Sequence, residues 1–224
     1  MLKTRPFASL RVTDKRFIDV KYFMLPLVTL GGIFMKKKIE KIIRESAIAV
    51  SALSSEAGTI AAVARKITES FRRGGKLLVF GNGGSAADAQ HFAAELVVKF
   101  EKKRKALPAI ALNVNTSAIT SCANDFSYEE IFSRQLEALL GKGDVVVGIS
   151  TSGNSPNVVR ALEYASSRGA VTVAFSGREG GRVAEIADIV LRAPSDVTAR
   201  VQECHILAIH AVCKIVEETL CRKS

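Results

Sequence analysis

Three histidines occur in 224 residues: His91, His205 and His210. His91 stands four residues before Glu95 in "AADAQHFAAELVVKF", whose apolar residues recur at helical spacing, so the two side chains share one helix face a turn apart. An imidazole and a carboxylate so placed can ligate one metal ion or divide the work of acid and base. An ordinary surface His/Glu pair has the same spacing. The stretch "QECHILAIH" offers a second set, Gln202, Glu203, His205 and His210. Glu203 and His210 are nearly eclipsed on a helix, and Gln202 lies ~80° around from His210. Spacing alone leaves the choice among them open.

Two loops suit a polar ligand. The first is "GNGGS" (81–85), between the apolar run "KLLVF" and the helix that bears His91. Glycine permits positive φ and close backbone approach, and a helix start presents unpaired N–H groups and a positive dipole end. The pattern fits an anion or a hydroxyl-rich ligand better than a bare tight turn. Gly81, Gly83 and Ala86 also match a loose dinucleotide fingerprint, but that motif expects an acidic residue closing the second strand, and "PAIAL" is followed by Asn113. A P-loop is excluded because no Gly-Lys-Ser/Thr follows at the required spacing. The second loop, in "ISTSGNSPNVVRAL", sets Ser150, Thr151, Ser152 and Ser155 at a helix start, with Ser155 as N-cap and Pro156 at the first helical position. Four hydroxyls exceed what a cap needs and could surround a phosphate without a lysine.

The elements that must position these groups alternate. Apolar runs at 76–80, 108–112, 144–149, 171–175 and 188–192 are separated by helical patterns at 85–100, 128–140, 155–168 and 180–187, with a last helix at about 197–220. Runs this apolar have no wet face, so the spacing predicts a doubly wound α/β sandwich with a parallel sheet of about five strands. Ahead of it, residues 36–75 predict two helices broken near Ser54 and Ser55. Composition agrees with one globular domain: 48% of residues are hydrophobic and 24% charged. The formal net charge of +10 belongs largely to the start of the chain. Residues 1–38 carry nine Lys/Arg against Asp14 and Asp19, leaving 23 basic and 20 acidic residues in the remainder. A near-balanced body argues against a nucleic-acid partner. The apolar stretch 24–34 is too short to span a bilayer and lacks a cleavage pattern. Residues 1–36 are read as a disordered basic extension or a mis-assigned start at which Met35 is the true initiator, and 37–224 as one domain. Cys122, Cys204, Cys213 and Cys221 form no CxxC pair, which indicates reduced thiols and a cytoplasmic location.

Together "GNGGSAADAQHFAAEL", "ANDFSYEEIFSRQLEALLGKGDVVVGISTSGNSPNV" and "RVQECHILAIH" resemble the sugar isomerase (SIS) fold and, within it, the phosphoheptose isomerases, over roughly residues 37–221. "STSGNS" is common to SIS domains; "AQHFAAEL" with the C-terminal Gln and His is more specific. The resemblance implies isomerisation of sedoheptulose 7-phosphate to D-glycero-D-manno-heptose 7-phosphate through an enediolate. It implies one zinc ion per subunit on His91, Glu95, Gln202 and His210, with Glu95 as base and His210 as acid, leaving His205 a structural part. It places the phosphate among Ser150, Thr151, Ser152 and Ser155. Asn82, Ser85 and Asp125 would meet the sugar hydroxyls, and Gly83, Gly84, Asn124, Glu95 and Gln202 would line the same site. It also implies a homotetramer with sites shared between subunits, and no membrane partner. Two positions depart from the family pattern, Lys99 for a commoner Arg and Asn115 for a commoner Asp, and altered substrate affinity is the expected consequence. The competing reading is a non-catalytic SIS protein that senses a sugar phosphate or holds a replication initiator; such relatives lack the His, Glu and His set.

Overall fold

The computed structural model describes the backbone of residues 20–221 and the side chains of residues 32–221. The chain divides into two compact units between Ile43 and Arg44. The first is the leading part of helix α1 (Val20–Ala52), on which Ile33, Phe34, Met35, Ile39, Ile42 and Ile43 are exposed. The boundary expected near residue 36 falls within this helix, and residues 1–19 lie outside the described residues. By length and hydropathy the stretch Gly32–Arg72 would pass for a membrane span. Its second half, however, buries Val63, Ala64 and Ile67 in a protein core.

The second unit is the α/β body. After a 3-10 turn at Leu53–Glu56, which is the break expected at the serines, come α2 (Ala57–Arg72), β1 (Leu77–Gly81), α3 (Gly84–Val97), β2 (Ala109–Ala111), α4 (Thr116–Asp125), α5 (Ser133–Leu139), β3 (Val145–Ile149), α6 (Pro156–Ser167), β4 (Val171–Ser176), β5 (Ile189–Arg192) and α7 (Thr198–Leu220). All five strands are parallel, in the order β2-β1-β3-β4-β5. Alternate residues feed opposite cores, as the pleat requires. Leu77, Val79, Val145, Val147 and Phe175 pack with α2, α3 and α7, whereas Leu78, Phe80, Val146 and Ala174 pack with the α4–α6 side. A sheet buried on both faces accounts for strands that read as unbroken apolar runs.

Two expectations need correction. The helix expected at 180–187 is only a 3-10 turn, Arg182–Glu185, because Gly180 and Gly181 both adopt positive φ and the α-helical pattern has no room to start. Helix α4 was not foreseen, since "TSAITSCAND" is rich in residues of low helix propensity. Cys122, Ile119 and Ala123 pack it on the core, and the Asn115 side chain caps it, Oδ1 accepting from Ala118 N at 3.0 Å.

The order 2-1-3-4-5 makes β1 and β3 neighbours whose following helices leave on opposite faces. That is the topological switch point, where open α/β sheets leave a crevice beyond the strand ends. Gly81 pairs with Ile149 at those ends, so the glycine and serine loops start side by side. At Gly148, in β3, an added Cβ would lie 2.9 Å from Leu162 Cδ1 and Val158 Cγ1. Gly148→Ala should therefore overpack α6 against the sheet and cost about 1–3 kcal/mol, read as a lowered midpoint of thermal unfolding; an unchanged midpoint would mean that α6 yields freely there.

Candidate functional site

Helices α3 and α7 place the polar groups. They lie side by side and run in the same direction: Gly84 meets Gln202 at one end, and His91 meets His210 two turns further along. A Cβ at Gly84 would collide with the Gln202 amide, which would have to swing aside. His91 Nε2 lies 3.0 Å from His210 Nε2, across 119 residues of sequence, and 3.3 Å from Glu95 Oε1. The Phe100 ring lies against His210, with centroids 5.7 Å apart and planes tilted by 41°. His91 is exposed, its side chain 43% accessible, so the cluster opens to the surface of this chain.

Two imidazole nitrogens that face each other either share one proton or direct both lone pairs at a cation. Two nitrogens on a tetrahedral zinc stand ~3.3 Å apart, close to the spacing seen, and two imidazoles with a carboxylate suit zinc chemically. The gathering is partial. Among the described residues no group of three or more His, Cys, Asp and Glu forms a metal centre unaided, and the Gln202 amide rests against Gly84.

The remaining residues of "QECHILAIH" take other parts. Glu203 accepts from Ser46 Oγ at 2.7 Å and pairs with Arg200. His205 is fully buried beside the Phe175 ring, with Nε2 3.0 Å from the Ser176 carbonyl oxygen. A carbonyl only accepts, so Nε2 carries the proton, and burial pulls the imidazole pKa down to about 4 despite that bond. His205 is thus a neutral core residue, as expected.

The glycine loop turns at Gly83, φ +55°, and closes with Ser85 N donating to Asn82 O at 3.0 Å. The Asn82 side chain is fixed. Its Nδ2 donates to Asn157 Oδ1 at 2.8 Å, while its Oδ1 accepts from Asn157 Nδ2 at 3.0 Å and from the Tyr128 hydroxyl at 3.2 Å. With the oxygen saturated, one N–H of Asn82 is left to offer a ligand. Asn157, buried in the first turn of α6, thereby ties the glycine loop to the serine loop. Neither Tyr128 nor Asn157 stood out in sequence, because a side chain that orients another leaves no spacing signal. Asn113 exchanges two hydrogen bonds with the Gly81 backbone, so it extends the sheet where a dinucleotide site would need a carboxylate.

In the serine loop, Ser155 is the N-cap residue of α6 by position, yet its side chain makes no capping bond. Its Oγ lies 2.9 Å from Ser150 Oγ. Ser152 Oγ accepts from Asn154 N, and the Thr151 carbonyl accepts from Gly177 N. The two loops are thus brought together. Asn124 and Asp125 bond to each other at the exposed end of α4, and the nearby Tyr128 donates to Asn82. Asn115 serves as the α4 cap, a task for which Asn and Asp are equivalent, and Lys99 lies exposed just beyond α3.

Sequence reading also passed over Asp88, one turn before His91. Its Oδ2 is buried with no hydrogen-bond partner. Burial lifts its pKa from 3.8 to about 6, with His91 pulling the other way.

Residues 43–177 match the family model described as SIS domain. The phosphoheptose isomerase of Aquifex aeolicus is 52% identical over 191 residues, covering 85% of this chain and 100% of that one. The probable phosphoheptose isomerase of Thermoplasma volcanium is 57% identical over 155 residues, covering 69% and 79%. Among solved structures, the phosphoheptose isomerase of Neisseria gonorrhoeae superposes with a TM-score of 0.77 at 40% identity, covering 82% of this chain and 99% of that one. The sugar isomerase domain of an RpiR transcription factor from Sphaerobacter thermophilus reaches a TM-score of 0.58 at 18% identity, covering 80% of this chain and 89% of that one, a likeness of fold alone.

The raised pKa of Asp88 gives a signed expectation. The folded state holds a proton there that the unfolded state has released, so stability falls as pH rises from about 3.8 to about 6 and the penalty is complete above that. Asp88→Asn should raise the thermal midpoint at pH 8 by a few degrees, about 2–4 °C per kcal/mol recovered, and give no gain below pH 4. An equal effect at both pH values would show that the carboxyl is not desolvated.

Proposed function

The chain belongs to the phosphoheptose isomerases of the SIS domain family, and on that premise we propose that Glu95 and His210 are the base and the acid with which it isomerises sedoheptulose 7-phosphate. The convergence of His91, Glu95 and His210 from two helices far apart in sequence carries this reading. Moving a carbonyl by one carbon requires a proton to leave the neighbouring carbon and another to reach oxygen. Glu95 takes the proton from C1 as the C1–C2 double bond forms, and His210 protonates the C2 oxygen, giving the enediol. His210 then removes the proton of the C1 hydroxyl while Glu95 returns its proton to C2. The product is D-glycero-D-manno-heptose 7-phosphate, the entry to nucleotide-activated heptoses.

His91, Glu95, Gln202 and His210 would hold one zinc ion per chain, which when bound supplies a Lewis acid for the carbonyl. The serine loop takes the phosphate. Ser150 and Ser155 satisfy each other and can turn their hydroxyls to an anion for the loss of one hydrogen bond, at the positive dipole end of α6. Asn82 offers its remaining N–H to the sugar, with Gly83, Gly84 and Ser85 lining the near wall and Asn124 and Asp125 closing from α4. The exposure of His91 and the uncovered apolar residues of α1 support a homotetramer that completes the site between chains. The four unpaired cysteines support the cytoplasm.

A Glu95→Gln enzyme should lose about 10²- to 10⁴-fold in kcat with the sugar phosphate still bound, and chelation should silence the wild type until zinc is returned. Turnover retained by Glu95→Gln would remove Glu95 as the base; activity indifferent to chelation would remove the metal.

A further inference from the structure

The α3–α7 pair has a third contact, at its far end. Glu217, on α7 two turns beyond His210, is buried, as is the side chain of Arg104 in the loop after α3. The Glu217 carboxylate accepts from the backbone N–H groups of Phe100 (3.1 Å), Glu101 (2.9 Å) and Lys102 (2.6 Å) and from Arg104 Nε (2.9 Å). Burial pushes its pKa up, but these four donors outweigh that and hold it below the usual carboxylate range. The remaining nitrogens of Arg104 reach back to α3. Nη2 donates to the Glu95 carbonyl at 2.9 Å, in the last turn of α3, and Nη1 to the Leu96 carbonyl at 2.7 Å, which also accepts from Leu107 N, and to the Lys105 carbonyl at 3.1 Å.

Each end of this network touches the proposed chemistry. Arg104 holds the backbone of Glu95 itself. Glu217 holds the backbone of Phe100, whose ring rests on His210. A stable loop anchor needs only one or two of these bonds, and none of them has to involve the residue that bears the base. We propose that Arg104 and Glu217 form a positioning clasp that sets the separation of Glu95 and His210, an inference that rests on the acid and base roles given above. Arginine is required because one guanidinium must serve a carboxylate and three carbonyls in fixed directions; a lysine offers a point charge without that fork.

The test is Arg104→Lys in the full-length, zinc-supplied enzyme, with Glu95→Gln beside it. Circular dichroism of Arg104→Lys should match the wild type. Its kcat for sedoheptulose 7-phosphate should fall at least tenfold, with KM and the inhibition constant of inorganic phosphate within twofold, since the serine loop is untouched. A kcat within twofold of wild type, or an equal loss of phosphate affinity, overturns the clasp. If Arg104→Lys does not fold, Phe100→Leu decides, because it keeps the hydrogen bonds and removes only the ring on His210: the same fall in kcat supports the clasp and an unchanged kcat refutes it. Turnover by Glu95→Gln would sink the acid–base reading, whereas an inactive Glu95→Gln beside a fully active Arg104→Lys would sink the clasp alone.

Discussion

The register between α3 and α7 is the constraint on which the candidate site depends. The two helices are adjacent, run the same way, and meet at three levels: Gly84 with Gln202, His91 with His210, and the loop at 100–104 with Glu217. Successive levels lie about two turns apart, so a slip by one residue, 1.5 Å along the axis and 100° around it, would separate every pair at once. A missing side chain, an imidazole contact and a buried ion pair resist the slip in different ways. The first is the softest of the three, because the Gln202 amide that faces Gly84 is the end of a flexible side chain.

The sheet supplies the other half of the geometry. Because β1 and β3 are neighbours while α3 and α6 leave on opposite faces, the two helix starts open onto one crevice at the strand ends. The glycine loop and the serine loop come together there. Asn157 fixes their relation, using both ends of its amide to orient Asn82. The proposed phosphate and sugar subsites are thus coupled by one buried side chain, and buried polar groups of this kind are costly unless satisfied. In this arrangement each oxygen and nitrogen of Asn157 that faces Asn82 is paired.

Hydroxyl-rich sequence and helix capping are not the same signal. Ser155 sits at the N-cap of α6 and would serve as a cap in most helices, but its hydroxyl turns to Ser150 instead. At α4 the opposite holds: Asn115, a position with a functional flavour in sequence, is spent on capping. Local propensity identifies the residues able to cap, and only the surroundings decide whether they do.

The sequence by itself determined the alternation of strands and helices, because a strand buried on both faces must be apolar throughout and a helix packed on one face must repeat every 3.6 residues. It marked the two loops through glycine and hydroxyl clusters, and His91 with Glu95 through helical spacing. It left the partner of His91 open among Gln202, Glu203, His205 and His210, and gave no sign of Tyr128, Asn157, Asp88 or the Arg104–Glu217 pair. Those were decided by tertiary structure, for one physical reason. A periodic pattern records which face of an element is buried, whereas a contact between elements depends on how far each is slid and turned against the other. That is fixed only when the whole core closes.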